Sequence, residues 1–165
     1  MKVISTLFML LITTQVFADS MALVKNKAYE DECGSCHMPY QAGFLPARSW
    51  EKIMTSLDKH FGENAELDAG TQKDLSSYLT SNAADHNGGK LSKKFLRSVA
   101  SSEVPLRISS LPYFKKEHDE VPAKLVKNND KVKSFSRCEA CHRKALNGSY
   151  REREIDIPGH GKWED

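Results

Sequence analysis

Apolar residues recur at helical spacing in several segments that are separated by polar and proline-containing stretches. The spacing predicts helices over residues 22–32, 50–61, 71–79 and 91–99, with a further short helix beginning at Pro112. No segment alternates apolar and polar side chains regularly enough to predict a strand. We therefore expect an all-α fold.

An Asn-Gly-Gly sequence at residues 87–89 interrupts this pattern and predicts a linker, because paired glycines mark a break between helices. It divides the chain into residues 19–86 and residues 87–165. In the second part prolines mark loop-rich connections, and Ser136 is placed to cap a helix that begins near residue 138. At about 70 residues, each part is too small to bury a large core without help.

The N-terminus predicts an export signal peptide over residues 1–18. Lys2 supplies a positive charge, residues 3–17 are mostly apolar, and Ala18 provides a small side chain at the cleavage position. The alternative is a membrane anchor, which needs about 20 apolar residues in a row. This run is shorter and contains serine and threonine. We expect cleavage after Ala18 and export to a bacterial periplasm.

The composition adds a constraint on binding partners. The chain has 165 residues, 39% hydrophobic and 28% charged, as in soluble globular proteins. A net charge of +2 provides no basic surface for tight nucleic-acid binding. The charge is unevenly divided, because residues 19–86 carry a net −5 and residues 87–165 a net +6. These parts are either two solvated surfaces without a role or two ends that steer different redox partners.

All four cysteines occur in two C-x-x-C-H pentads, Cys33-Gly34-Ser35-Cys36-His37 and Cys138-Glu139-Ala140-Cys141-His142. This pattern is the attachment signature of c-type haem. Residues three apart on a helical turn point the same way, so both thiols can bond one porphyrin while the histidine reaches its iron. We expect two covalently attached haem c groups. Their predicted attachment residues are Cys33, Cys36, Cys138 and Cys141, and their predicted iron ligands include His37 and His142.

Three other interpretations of the pentads fit the sequence less well. Two C-x-x-C disulfides would not require a histidine after each pair. A zinc ribbon is mostly an intracellular structure, and the two cysteine pairs here lie about a hundred residues apart. A thioredoxin-type redox pair needs a βαβ context that the sequence does not predict.

The second ligand of each iron determines whether the haem carries electrons or binds a further ligand. No methionine follows Met54, so the second haem has none in its own part of the chain. Met38 directly follows His37 and cannot reach the opposite face of that haem. Met54 shares helical spacing with Trp50, which favours a position in the core.

Four histidines lie outside the pentads. His60 falls at the edge of the apolar face of the helix predicted over residues 50–61. His118 lies about twenty residues before the second pentad, where a loop can cover the second haem. These two are the candidate second ligands. His86, in the linker, and His160, in a glycine-rich tail, are expected to be exposed and stay open as alternative ligands.

Several short motifs accompany the pentads, at residues 49–54, 60–65, 78–79, 82–85, 105–108, 112–114, 117–118 and 157–158. With these motifs the chain resembles the small dihaem cytochromes c of bacterial periplasms. One member of that family donates electrons to the oxygen-binding sphaeroides haem protein. The match covers almost the whole chain after residue 18, and the pentads are its most specific part.

The resemblance implies a mostly helical fold of two small cytochrome c-like domains, and electron transfer in place of catalysis. It also implies bis-histidine ligation, with His37 and His142 as proximal ligands and His60 and His118 as distal ligands. The implied redox partner is a small soluble haem protein or a membrane cytochrome b. Two other classes stay open, a dihaem peroxidase and a haem-based ligand sensor, and each needs one open iron.

Overall fold

The computed structural model describes residues 19–23 and 25–163, so the predicted signal peptide lies outside the described residues. Its helices are α1 (Lys27–Gly34), α2 (Ala47–Met54), α3 (Ala69–Ser81), α4 (Lys90–Arg97), α5 (Pro112–Lys116), α6 (Ala123–Val126) and α7 (Cys138–Cys141). Short 3-10 turns lie at Ala42–Phe44, Leu57–Lys59, Ile108–Ser110, Ala145–Asn147 and Glu152–Glu154. None of the described helices is long and apolar enough to cross a membrane.

The prediction of a mostly helical protein is confirmed. The prediction that no strand forms is wrong for one short antiparallel hairpin, in which β1 (Asp156–Ile157) pairs with β2 (Gly161–Lys162). Each strand is only two residues long, which is too short for an alternating pattern of side chains to be recognised in the sequence. The helices therefore determine the architecture.

Capping side chains determine where α1 and α3 begin. α1 begins at residue 27, five residues later than predicted, because the Asn26 side chain accepts a hydrogen bond from Tyr29 N at 3.0 Å. α3 begins earlier than predicted, because Asp68 accepts hydrogen bonds from Gly70 N and Thr71 N, both at 3.0 Å. α5 begins at the predicted proline, whose missing N–H costs nothing in a first turn.

The helix predicted over residues 50–61 is wrong in its second half. α2 ends at residue 54, where the amide and the hydroxyl of Thr55 both donate to the Glu51 carbonyl, at 3.0 and 2.9 Å. A single 3-10 turn, Leu57–Lys59, then leads to His60. His60 therefore does not lie on a helix face. Phe61, the last residue of the predicted helix, is 46% exposed.

The predicted cap of the last helix is also wrong. Arg137 occupies the N-cap position of α7 and makes no capping hydrogen bond with its side chain. The Ser136 hydroxyl is engaged elsewhere, in a 2.8 Å hydrogen bond with the hydroxyl of Ser134. This competing partner removes the group that would have capped the helix.

The main hydrophobic core lies between α2 and α3 and extends to α4 and α5. Leu75 and Leu79 of α3 are among its most buried members, each 1% exposed. Leu91 and Leu111 belong to the same cluster, so it draws residues from both sides of residue 87. A smaller cluster lies beside α7 and contains Val126, Val132 and Ala140. The division into two domains at residues 86 and 87 stays a prediction.

Candidate haem-binding sites

The first pentad begins in the last turn of α1 and continues beyond the end of this helix. Cys33 lies in the last turn of this helix and is half-buried, while Cys36 and His37 follow as exposed residues. His37 Nδ1 donates a hydrogen bond to the Met38 carbonyl at 2.7 Å. Because a carbonyl can only accept, this bond places the ring proton on Nδ1 and leaves the Nε2 lone pair free to bind a metal.

A tight turn positions His60. The amide of Glu63 donates to the His60 carbonyl at 3.1 Å, and the two residues between them, Phe61 and Gly62, have φ of 55° and 107°. Positive φ at both central positions is typical of a type I′ turn. This backbone is uncommon for a bulky residue such as phenylalanine. The guanidinium of Arg107 packs over the Phe61 ring, 4.1 Å from its centroid, and stabilises the turn.

The second site is built on α7 and α5. Cys138 and Cys141 lie one turn apart on α7, and the amide of His142 donates to the Cys138 carbonyl at 2.8 Å. His118 follows α5, where its Nδ1 donates to the Phe114 carbonyl at 2.8 Å and its ring stacks on the Phe114 ring at 3.9 Å. This bond again leaves the His118 Nε2 free for a metal.

Each pentad histidine faces one of the two candidate second ligands. The rings of His37 and His60 have centroids 6.1 Å apart and planes 17° apart. The rings of His118 and His142 have the same centroid separation, 6.1 Å, but planes 69° apart. Metal–nitrogen bonds to histidine are about 2.0–2.1 Å long, and an imidazole centroid lies about 1.1 Å beyond the bonded nitrogen. Two histidines on opposite faces of one iron therefore have centroids about 6.3 Å apart.

The surroundings of three of these histidines, His60, His118 and His142, favour the neutral imidazole, which is the form that binds metals. Burial lowers the pKa of His142 to about 4, with a further lowering from the facing His118. Burial also lowers the pKa of His118 and of His60. The Nδ1 atom of His142 is buried and has no hydrogen-bond partner among the described residues. Burial thus favours the neutral form at both candidate ligands of the second site.

The second histidine pair lines a cavity of about 300 Å³. Its walls combine the thiols and imidazoles of the site with aromatic rings, namely Cys138, Cys141, His118, His142, Phe114 and Phe135. The Phe135 ring stands edge-on to the His118 ring at 5.7 Å and helps to exclude water. A cavity with apolar walls and a few convergent polar groups is typical of a cofactor site.

Comparisons with known proteins agree with this geometry. A model of the dihaem cytochrome c family matches residues 29–150. The chain belongs to this family. It is similar to the X-ray structure of a dihaem cytochrome c from Shewanella baltica OS155, with 37% identity and a TM-score of 0.71. That match covers 86% of this chain and 100% of the other.

Two structures of dihaem cytochrome c from Rhodobacter sphaeroides are also similar. One has 43% identity and a TM-score of 0.70, and covers 78% of this chain and 98% of the other. The second has 40% identity and a TM-score of 0.64, and covers 78% of this chain and 100% of the other. A comparison with curated protein sequences gave no match.

As a dihaem cytochrome c, the chain carries two c-type haems and transfers electrons. Its residues fit two such groups, since each cysteine pair adjoins one facing histidine pair. The four cysteines form no disulfide. Among the described residues no group of three or more Cys, His, Asp or Glu side chains forms a metal site of its own. A site built from four cysteines is therefore not formed.

The alternative ligands of this dihaem cytochrome c lie elsewhere. His86 is exposed, and its Nδ1 donates to the Thr80 carbonyl at 2.7 Å. His160 is exposed beside Trp163, with ring centroids 6.3 Å apart. Met54 is 3% exposed and belongs to the main core, as its spacing predicts.

Sequence reasoning missed the aromatic residues that hold the histidines. Phe114 stacks on His118, and this pair was detectable because residues four apart on a helix are neighbours. Tyr40 stacks on His37 at 4.9 Å, and Tyr150 lies 5.4 Å from His142. Tyr40 is only three residues from His37, but residues 38–40 are not helical, so this spacing does not predict a contact. Tyr150 is eight residues from His142 and lies outside the same helical turn.

Proposed function

We propose that this protein is a two-haem electron relay in which both irons have two histidine ligands. His37 and His60 would hold one iron, and His118 and His142 the other. The observation that carries the proposal is the equal 6.1 Å separation of the two facing pairs, each beside one cysteine pair. The attachment residues would be Cys33 and Cys36 for the first haem, and Cys138 and Cys141 for the second.

The haems, when bound, supply two one-electron carriers. The chain holds them by thioether bonds and orients their ligands. Hydrogen bonds from Nδ1 to the carbonyls of Met38 and Phe114 set the ring direction of His37 and His118 and raise the basicity of Nε2. The aromatic walls of the second cavity keep water away from the ligand nitrogens there.

Two protein nitrogens on each iron leave no coordination position for peroxide or a dissolved gas. For this reason we favour an electron carrier over a dihaem peroxidase or a ligand sensor. The same two nitrogens bind in both oxidation states, so little structure changes when an electron arrives. Because Met/His ligation raises the potential of haem iron, His/His ligation supports two haems of low potential.

The proposed location is a bacterial periplasm, reached by cleavage of residues 1–18 after Ala18. The proposed partners are redox proteins, either a small soluble haem protein or a membrane cytochrome b. The net charges of −5 and +6 on residues 19–86 and 87–165 support two differently charged docking ends. N-terminal sequencing of the protein recovered from the periplasm should give Asp19 as its first residue, and a protein that keeps Lys2 would contradict cleavage after Ala18.

Reductive titration of the holoprotein tests the relay. We expect reversible uptake of two electrons per chain and no catalytic reduction of hydrogen peroxide. Uptake of one electron, or sustained peroxide turnover with a reduced donor, would contradict the relay and favour an enzyme with one open iron.

A further inference from the structure

Tyr40 lies between the two candidate haem-binding sites and contacts both. Its ring stacks on the His37 ring, with centroids 4.9 Å apart and planes 22° apart. Its hydroxyl donates a hydrogen bond to the Ser136 carbonyl at 2.6 Å, across 96 positions of the sequence. The haem-attachment motif ends at His37 and does not account for this tyrosine.

The Ser136 carbonyl belongs to the segment that carries the second haem attachment. Cys138 Sγ lies 3.9 Å from the same carbonyl oxygen that accepts the Tyr40 hydrogen bond. Three short contacts therefore join the two sites: a ring stack of 4.9 Å, a hydrogen bond of 2.6 Å and a sulfur–oxygen contact of 3.9 Å. They run from a proposed iron ligand of the first haem to a proposed attachment sulfur of the second.

The residue next to Tyr40 fixes this arrangement. Gln41 is only 6% exposed, and both ends of its amide are bonded to the C-terminal part of the chain. Its Nε2 donates to the Ala145 carbonyl at 2.9 Å, and its Oε1 accepts a hydrogen bond from the Tyr150 hydroxyl. The Tyr150 ring contacts His142 at 5.4 Å. Buried and fully bonded polar groups hold one conformation, so the backbone at residue 40 is rigid.

We propose that Tyr40 couples the two haems for electron exchange within one molecule, acting through the His37 ring and the Ser136 carbonyl. This proposal rests on the relay function proposed above. One electron passes from the ferrous iron of one site to the ferric iron of the other, and no proton moves. Tyr40 is neither oxidised nor deprotonated in this exchange.

The hydroxyl of Tyr40 is suited to this role because it donates to the Ser136 carbonyl, which can only accept. Tyr40→Phe keeps the ring against His37 and removes only the bond to Ser136. Tyr78→Phe is the matched control, because it also removes one tyrosine hydroxyl and keeps the ring, at a position on α3 that takes no part in the contacts of Tyr40 with His37 and Ser136.

Exchange NMR of the half-reduced holoprotein measures the coupling. The haem methyl signals of the two oxidation states interconvert when electrons move, and exchange within one molecule has a rate that does not depend on protein concentration. We expect Tyr40→Phe to lower this rate several-fold while both haems keep their low-spin spectra. Tyr78→Phe should exchange at the rate of the unmodified protein.

Three results would overturn the role of Tyr40. The first is an unchanged exchange rate in Tyr40→Phe. The second is a fall in the exchange rate of Tyr78→Phe equal to that of Tyr40→Phe. The third is loss of the low-spin spectrum in Tyr40→Phe, which would make the tyrosine a structural residue. Failure of the relay function is seen separately, as uptake of a single electron by the unmodified protein. In that case no exchange between haems is observed in any variant.

Discussion

The imidazole of His142 crosses that of His118 at 69°, with the ring centroids 6.1 Å apart. The equivalent rings of the first site are only 17° apart at the same separation. Local contacts set this difference, since His118 is held flat against Phe114 by stacking and by a hydrogen bond to its carbonyl. The two sites therefore have the same proposed ligands in different orientations.

The ring angles predict two distinct electron paramagnetic resonance signals in the oxidised protein. Parallel imidazole planes split the iron orbitals that hold the unpaired electron and give a rhombic low-spin signal. Nearly perpendicular planes leave these orbitals close in energy and give a signal with one large g value at low field. We expect one signal of each kind in equal amounts. Two identical rhombic signals would show that the 69° angle of His118 and His142 is not kept in the holoprotein.

Removal of either proposed distal ligand should open one iron. In His60→Ala and in His118→Ala we expect one of the two haems to become high-spin while the other stays low-spin, because an alanine provides no ligand nitrogen. Absorption and electron paramagnetic resonance spectra measure the change. His86→Ala is the control, because His86 is exposed and bonded to Thr80. A low-spin spectrum that persists in either distal variant would remove that residue from the ligand set.

Haem attachment should be required for folding. Among the described residues, the cluster beside α7 has three buried members, Val126, Val132 and Ala140. So little apolar surface seldom holds a segment in place without a cofactor or cross-link. We expect a variant with all four cysteines replaced by alanine to lose its helical circular dichroism. A haem-free protein that keeps the helical spectrum and unfolds cooperatively would contradict this.

The connection at residues 87–89 is more tightly packed than a flexible linker. A Cβ atom on Gly88 would collide with the Ala84 carbonyl oxygen and lie 2.6 Å from Ser92 Cβ. We expect Gly88→Ala to lower the free energy of unfolding by about 1–3 kcal/mol, as overpacking does. In Gly89→Ala the nearest atom is 3.9 Å away, so this control adds no collision and should cost only the ~0.5–1 kcal/mol that alanine costs at the N-cap of α4.

Denaturant unfolding of both glycine variants, followed by circular dichroism, measures the difference. Equal stability of the two variants would show that the connection yields to an added methyl group and has no packing role.

The proposed attachment residues are predictable from the sequence because C-x-x-C-H is a local motif. They stay a prediction. The sequence predicts His60 on the face of a helix, and this prediction is wrong. His60 follows a 3-10 turn, and a second turn with positive φ at Phe61 and Gly62 positions it. Gly62 is the one local feature that indicates this turn in the sequence, because glycine adopts positive φ readily.

The contacts between the two sites could not be predicted. Tyr40 reaches Ser136, and Gln41 reaches Ala145 and Tyr150, across about a hundred residues of sequence. Helical spacing and capping rules describe neighbours within one or two turns, so they carry no information on such pairs. For the same reason, neither the segment around Leu75 nor the segment around Leu111 indicates that the two residues share one hydrophobic cluster.

The most direct test of the central claim is the absorption spectrum of the reduced protein before and after addition of carbon monoxide. If His37 and His60 close one iron and His118 and His142 the other, carbon monoxide finds no free position and the spectrum does not change. A shift that corresponds to one haem would show an accessible iron and contradict bis-histidine ligation at both sites.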